Sequence, residues 1–136
     1  MKKITLLATA MAAIGLLTGP VGATPRDASK GEERLARILK DRVPGQPVDC
    51  IPAYQSSHAQ IVDRTAIVYD VGSVIYVNRP TNARDLNSSD IMVTNIYGSQ
   101  LCSVDTVRLH DQTSHFYTGF VGLNKFVPYR KVASAQ

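Results

Sequence analysis

The chain has 136 residues, with 15 Lys and Arg against 11 Asp and Glu, which gives a net charge of +4 at pH 7. This length fits one domain, because a second would need roughly 100 more residues. The weak positive charge excludes a strongly basic nucleic-acid-binding protein. The length excludes most α/β folds that bind a dinucleotide cofactor.

Residues 1–23 have the pattern of a secretory signal peptide. Lys2 begins a short basic start, and residues 4–17 follow without a charge. Small residues before position 24 favour cleavage between Ala23 and Thr24. The uncharged stretch is shorter than the ~20 residues needed to span a membrane, so we expect export and no stable membrane span after cleavage.

Removal of this leader changes the charge and indicates the compartment. The 136 residues less these 23 leave 113, and loss of the two leader lysines lowers the net charge from +4 to +2. The style of the leader is that of a Gram-negative bacterium, so we expect a periplasmic or secreted protein. The first cysteine is Cys50, so the cleavage site offers no thiol for a lipid anchor.

Residues 24–46 are predicted to form a helical appendage. Ser29 and Glu32 have the spacing of a capping box, and a helix is expected over Ser29–Arg42 until a Pro-Gly pair ends it. Its narrow apolar stripe consists of Leu35, Ile38 and Leu39. The stripe has two alternative partners, its own domain or another protein, and docking on its own domain is the simpler expectation.

Residues 47–132 are predicted to form a small β domain, followed by a disordered tail at 133–136. We therefore expect a mainly β (α+β) protein, with an N-terminal helix and a small antiparallel β-barrel or rolled sheet of about five or six strands. From Val48 onward, β-branched and aromatic runs predict strands at 64–69, 74–78, 91–96, 101–110 and 115–121, and a short closing strand or edge segment at 126–129.

The residue patterns of these strands predict which of them are buried and which lie at an edge. The runs 64–69 and 74–78 are apolar on both faces, which predicts a central hairpin that is covered on both sides. Pro128 has no backbone N–H to donate, which places 126–129 at a sheet edge or in a short closing strand.

The cysteines Cys50 and Cys102 are predicted to form one structural disulfide, as is usual for a pair in an exported chain. The bond would close a loop of about 50 residues and stabilise the fold by roughly 4 kcal/mol on the chain-entropy model. A redox or nucleophilic thiol is the alternative, but redox pairs usually have C-x-x-C spacing.

Four sequence blocks around these cysteines stand in a distinctive order. They are GQPVDCI at 45–51, VDRTAIVY at 62–69, GSQLCSVDTV at 98–107 and GLNKFVPY at 122–129. In this order they resemble a family of small exported proteobacterial proteins that is catalogued only as a domain of unknown function. Many members carry a second cysteine pair, and this chain has no cysteine at the corresponding places. The resemblance therefore implies one disulfide here and assigns no catalytic residue.

The histidines give no strong indication of a metal site. His110 and His115 lie on either side of a predicted turn, and a zinc site would need a third or fourth ligand. Asp111 is adjacent to His110 and is better explained as a turn former, while His58 stands alone. We predict no metal ligand and no cofactor.

A nucleophile–histidine–acid set can be drawn from Ser103, His110 and Asp105, but nothing in the sequence supports it. No G-x-S-x-G elbow is present, and neighbouring residues of one strand face opposite sides. Asp105 shares its predicted face with buried positions, so we expect it to pair with Arg64 or with a backbone amide. We therefore predict no catalytic residue.

Basic residues are spread along the β domain among tyrosines. We expect solvated charges rather than a nucleic-acid-binding patch, because the spacing is scattered and the exported chain has a net charge of only +2. The residues concerned are Arg79, Arg84, Arg108, Lys125, Arg130 and Lys131, with Tyr76, Tyr97 and Tyr117.

These observations leave three hypotheses for function. The first is a non-enzymatic binding or structural module of the cell envelope, whose partner is an unknown envelope protein or a small ligand. The second is a small periplasmic hydrolase, which requires His110 or His115 within hydrogen-bond reach of Asp105. The third is an inhibitor-type protein that binds one dominant partner.

Overall fold

The structure is a computed structural model that describes residues 26–133. The predicted signal peptide, its cleavage site at Ala23 and Thr24, and residues 134–136 of the predicted tail lie outside the described residues. Within the described range, one helix, α1 (Arg26–Ile38), precedes all the strands. Two short 3₁₀ helices, Ala53–His58 and Ala83–Asp85, interrupt the strands.

Ten strands form three antiparallel sheets among the described residues. We call them the large sheet (β1-β10-β5-β4-β3), the disulfide ribbon (β2-β7) and the small sheet (β6-β8-β9). The strands are β1 (Arg42–Pro44), β2 (Cys50–Pro52), β3 (Ala59–Val62), β4 (Ala66–Asp70), β5 (Val74–Asn78), β6 (Asp90–Thr94), β7 (Gln100–Cys102), β8 (Thr106–Asp111), β9 (Tyr117–Gly122) and β10 (Phe126–Lys131).

The mainly β class, the antiparallel pairing and the N-terminal helix agree with the prediction. The predicted number of five or six strands is too low, because several strands are only three residues long and were not separable by pattern. The described strands remain in three separate sheets and do not close into one barrel.

The single strand predicted over 101–110 is wrong, because the chain turns between β7 and β8. The Asp105 amide donates to the Cys102 carbonyl at 3.0 Å, and the Asp105 carboxylate accepts from the Cys102 amide at 2.7 Å. An aspartate that bonds to nearby backbone favours a turn over a continued strand. Ser103 and Asp105 therefore do not share a strand face with the buried residues Val107 and Leu109 of β8.

The hairpin of β4 and β5 is covered on both faces, as its sequence predicted. One face packs beneath α1, and the buried cluster there consists of Ala66, Val68, Ile75 and Val77 of the hairpin, Val62 of β3 and Leu35 of the helix. The other face packs against the disulfide ribbon and the small sheet. That cluster includes Ile61, Ile67, Tyr69 and Phe126, with Ile51, Leu101, Val107, Leu109 and Val121 opposite them.

The predicted appendage at 24–46 contributes to the large sheet as well as to the helix. Leu35 is 2% exposed, so the apolar stripe of α1 docks on its own domain. The predicted helix limits Ser29–Arg42 are wrong, because the helix begins at Arg26 and ends at Ile38. Asp41 adopts a left-handed φ of 61°, which turns the chain into β1.

The predicted capping box is also wrong, because both of its residues lie inside α1. The Glu32 carboxylate instead accepts two hydrogen bonds from the Arg79 guanidinium, at 2.6 and 3.0 Å. Arg79 directly follows β5, so this bidentate pair ties the helix to the large sheet. The hydrogen bond from Arg79 lowers the pKa of Glu32 below its ordinary value of 4.5.

Gly31 lets α1 approach the turn between β3 and β4. A Cβ atom at this position would lie 1.9 Å from the Thr65 hydroxyl oxygen and 2.5 Å from the Asp63 carbonyl oxygen. Neither distance is compatible with a side chain unless the helix shifts. The absence of a side chain at Gly31 therefore sets how closely the helix docks.

The predicted edge position of β10 is wrong, because β10 lies between β1 and β5. The Pro128 carbonyl accepts from the Gly45 amide at 2.7 Å, beyond the last residue of β1. In an antiparallel strand the nitrogen of a residue faces the same side as its carbonyl. The missing donor of Pro128 therefore faces the end of β1, and pairing with β5 is uninterrupted.

Cys50 and Cys102 form a disulfide between directly opposite residues of β2 and β7. The neighbouring side chains Ile51 and Leu101 are fully buried in a cluster that they share with both larger sheets. The disulfide therefore joins two strands that contribute to this core, and it is consistent with an oxidising compartment outside the cytoplasm. Among residues 26–133 no helix is long and apolar enough to cross a bilayer.

The close approach at Gly31 predicts an unusual effect of alanine in a helix. Gly31→Ala should lower Tm by about 5–10 °C, because the clash outweighs the gain of about 1 kcal/mol that alanine brings to a helix. Thermal unfolding followed by circular dichroism measures this. Lys30→Ala, at the adjacent exposed position, is the control and should change Tm by less than about 3 °C. A higher Tm for Gly31→Ala would contradict the packing described.

The Glu32–Arg79 pair predicts a pH-dependent part of the stability. Because the folded state lowers the pKa of Glu32, the pair stabilises the protein above pH 4.5, and this contribution is lost as pH falls through the folded pKa. Both side chains are about half exposed, so solvent screening limits the contribution to about 1 kcal/mol or less.

Urea unfolding of the Glu32→Gln variant checks this at pH 7 and near pH 3. The variant should be less stable than the wild type at pH 7 and equal to it at the lower pH. Glu33→Gln is the matched control, since it removes the adjacent carboxylate without touching the pair. An equal loss of stability at both pH values for Glu32→Gln would refute the assignment.

Candidate functional site

An open cleft of about 710 Å³ lies beside α1. The helix forms one wall, and the β3–β4 turn and the segment 84–88 form the other. We call it the basic cleft, because five cationic side chains line it: Lys30, Arg34, Arg37, Arg64 and Arg84. The carboxylates that line it are Glu33, Asp63 and Asp85.

Three of the five cations come from one face of α1. Lys30, Arg34 and Arg37 are separated by four and three residues, which places them on adjacent turns of the same helix face. The apolar stripe around Leu35 fixes the rotation of the helix by docking on the large sheet. The basic face is therefore held beside the β3–β4 turn rather than free to turn away from it.

Arg64 joins this face from the β3–β4 turn. Its backbone has a φ of 52°, in the left-handed region that non-glycine residues rarely adopt. The Arg64 amide donates to the Leu86 carbonyl at 3.0 Å, which links the turn to the segment 84–88 in the same wall. A conformation of this kind costs about 1 kcal/mol or more and often occurs at binding sites.

Asp63 holds the second wall of the cleft in place. Its carboxylate accepts hydrogen bonds from the Ser88 amide at 2.5 Å and from the Ser88 hydroxyl at 3.1 Å. The Thr65 hydroxyl donates to the Asp63 carbonyl at 2.8 Å. The Asp63 carboxylate therefore supports the loop structure, whereas the neighbouring Arg64 side chain lines the cleft.

The cleft has an excess of positive charge despite its three carboxylates. Asp63 is committed to Ser88, and the Asp85 carboxylate accepts from the Asn82 side chain at 2.9 Å. Five cations against three anions leave +2, which equals the net charge expected for the whole exported chain. The lining of the cleft therefore carries a local excess of positive charge.

This lining is suited to the binding of anions. Four of the five cations are arginines, whose planar guanidinium groups bind carboxylate or phosphate oxygens in bidentate fashion. The residues that line the cleft include no histidine or cysteine, so it offers no imidazole base and no thiol nucleophile. The arrangement is suited to hold a charged ligand.

The basic residues considered from the sequence do not form one patch. Only Arg84 of that group lines the cleft. Arg108 donates to the Asn95 side chain at 3.0 Å, and the Lys125 ammonium lies 3.4 Å from the Asp49 carboxylate. With Arg79 bound to Glu32, these charges are distributed over the surface, as expected.

The sequence analysis did not predict that these five cations line one cleft. The helical spacing of Lys30, Arg34 and Arg37 was a readable signal, since it marks a basic stripe beside the apolar one. Arg64 gave no such signal, because its role depends on where the helix docks. The basic cleft therefore emerges only when tertiary packing is known.

The acid and histidine of the hydrolase hypothesis have other partners. The Asp105 carboxylate accepts from the Cys102 amide, which is one of the two partners expected for it. The His110 Nδ1 atom lies 3.2 Å from the His115 carbonyl oxygen, and the His110 ring packs edge-on against Tyr117. No hydrogen bond joins Asp105 to a histidine in the described part of the chain.

Asp111 forms the turn between β8 and β9. Its carboxylate accepts hydrogen bonds from the Ser114 amide, the Ser114 hydroxyl and the Thr113 amide, and these bonds lower its pKa. The turn-forming role expected from the sequence is thus observed. Over residues 26–133, no group of three or more His, Cys, Asp or Glu side chains is placed to hold a metal ion.

A second notable surface is the outer face of the small sheet. Cross-strand registers place Ile91, His110 and Tyr117 in one row and Val93, Arg108 and Phe120 in the next. The apolar members of both rows are at least one-third exposed. This face is flat and mixes apolar with cationic groups, whereas the basic cleft is concave.

Comparisons with known proteins add no further assignment. No protein-family model, no curated protein and no solved structure matches the chain.

Proposed function

We propose that this protein is an exported, non-enzymatic binding module of the cell envelope and that it binds an anionic partner in the basic cleft. The convergence of five cations from three separate segments carries this proposal. The leader pattern and the disulfide support a periplasmic or secreted location in a Gram-negative bacterium. The resemblance to a family of unknown function fits an exported protein and contributes no activity.

The chemistry of the cleft defines the ligand class. Arg34 and Arg64 come from facing walls, so an anion between them receives hydrogen bonds from two directions. Phosphate and carboxylate groups are the anions that guanidinium groups bind best. We therefore infer a ligand that presents several such groups along an extended chain, because the cations come from three segments around one open cleft.

A binding role also fits the way in which the acidic residues are used. Asp63, Asp105 and Asp111 each accept hydrogen bonds from nearby backbone amides, so their carboxylates support loops. A hydrolase would need one of these groups to face a base or a water at a reacting centre. A binding module that is not an enzyme requires no carboxylate at a reacting centre.

Titration calorimetry with inorganic tripolyphosphate as the probe tests this proposal. The protein purified from the periplasm should bind the probe at low salt, with an affinity that falls as salt rises. The double variant Arg34→Ala/Arg64→Ala should lose about tenfold or more in affinity, because it removes charge-assisted hydrogen bonds from both walls.

The matched control is Arg130→Ala/Lys131→Ala, which removes the same charge from β10, outside the cleft. It should change the affinity by less than about threefold, as expected for a loss of long-range attraction alone. Equal losses in the two double variants would mean that only general charge attracts the probe. That result, or no binding by the wild type at low salt, would refute the proposed function.

A further inference from the structure

The large sheet and the small sheet each end in an uncovered strand beside the same groove. β3 is the last strand of the large sheet, and β6 is the first strand of the small sheet. A groove of about 360 Å³ lies between them, and we call it the edge groove. Its walls include Ala59, Gln60 and Ile61 of β3 and Asp90, Ile91 and Met92 of β6.

The register of the large sheet shows which backbone groups of β3 face the groove. The Val71 amide donates to the Val74 carbonyl at 3.0 Å, which makes this a hydrogen-bonded pair at the end of the β4–β5 hairpin. Hydrogen-bonded and non-hydrogen-bonded pairs alternate along an antiparallel ladder. By this alternation, Gln60 bonds to β4, and the N–H and C=O groups of Ile61 face away from it.

The register of the small sheet shows which backbone groups of β6 face the groove. The Gln112 amide donates to the Ser89 carbonyl at 3.0 Å, which sets the alternation between β6 and β8. Ile91 then bonds to β8, and the N–H and C=O groups of Met92 face the groove. In the described part of the chain, no strand pairs with the groove side of β3 or β6, although the Asp90 amide at the start of β6 donates to the Asn87 carbonyl at 3.0 Å.

The opposite edge of the small sheet, β9, is covered by another segment of the chain. The Asn82 side chain donates to the Phe120 carbonyl at 2.8 Å and accepts from the Gly122 amide at 3.1 Å. The Thr81 amide donates to the Gly122 carbonyl at 3.1 Å, so this segment covers the edge of β9. Proteins commonly protect free strand edges in this way, because an open edge recruits another strand. In the described part of the chain, no segment covers the edges of β3 and β6 in this way, so both can pair with another strand.

The edge groove is continuous with the basic cleft, since Arg34 and Ser88 line both. We propose that the two form one site for an extended acidic segment of a partner protein. The segment inserts as a strand between β3 and β6, and its carboxylates lie along Arg34 and the cations of the cleft. This inference rests on the proposed function and names the class of its ligand.

The edge groove and the basic cleft together select a polypeptide over other anions. Ile61 and Met92 present backbone donors and acceptors, and only another peptide backbone supplies matching groups at the repeat of a strand. A lipid headgroup or a phosphate polymer would use the cations of the cleft and leave both edges unpaired. An acidic peptide uses both halves at once, and the groove between two open edges gives it pairing on both sides.

The probe for this proposal is a blocked peptide of about ten residues with alternating Glu and Thr. It should bind the wild-type protein at least about tenfold more tightly than the same peptide methylated on alternate backbone nitrogens, which keeps every charge but loses donors. On binding the unmodified peptide, the amide hydrogens of Ile61 and Met92 should exchange at least about tenfold more slowly in NMR spectra.

The variant pair Met92→Pro and Met92→Ala separates backbone pairing from side-chain packing. Proline is tolerated on an edge strand where its nitrogen faces away from the neighbouring strand, as at Met92. Met92→Pro should therefore bind the peptide about fivefold or more weakly than Met92→Ala. Both variants should bind tripolyphosphate as the wild type does. If Met92→Pro fails to fold, the methylated peptide and the amide exchange of the wild type still decide the question.

The outcomes distinguish this inference from the proposed function. Equal binding of the plain and methylated peptides, or unchanged exchange at Ile61 and Met92, overturns strand insertion and leaves anion binding in the cleft intact. If the protein binds tripolyphosphate but does not bind the peptide, strand insertion is likewise overturned and anion binding in the cleft is left intact. Failure of both probes overturns both proposals. A concentration-dependent dimer that Met92→Pro abolishes and Met92→Ala preserves would assign the edges to a second copy of this chain, and would overturn the acidic partner.

Discussion

The structure depends on the burial of one β-hairpin on both of its faces. Residues Ala66 to Tyr69 are at most 2% exposed, so β4 cannot leave either face in water. One face requires α1, and the other requires the disulfide ribbon and the small sheet. A core of this size is modest, which makes each covering layer important to the stability of the domain.

The same constraint creates the candidate site. Covering the hairpin brings α1 against the β3–β4 turn, at a distance that Gly31 permits and the Glu32–Arg79 pair secures. The basic face of the helix then meets Arg64 across the cleft. On the other side of the hairpin, packing of the small sheet leaves β6 beside β3 without a strand between them. Fold and site thus have one physical cause.

Local sequence patterns predicted the parts that depend on local chemistry. The two-sided hairpin, the Cys50–Cys102 bond and the apolar stripe of α1 each follow from residue type and spacing. The turn at Asp105 and the central position of β10 did not, because each depends on hydrogen bonds to particular backbone groups. The left-handed backbone of Arg64 also has no local signature, since arginine rarely adopts it.

Docking of α1 builds the cleft that we propose binds anions. An NMR titration of the isotope-labelled protein with tripolyphosphate is the sharpest test of this proposal, because each backbone amide reports separately. We expect the largest shift changes at 30–37, 63–65 and 84–88, with small changes along β10. Uniform small changes over the surface, or the largest changes on the outer face of the small sheet, would contradict it.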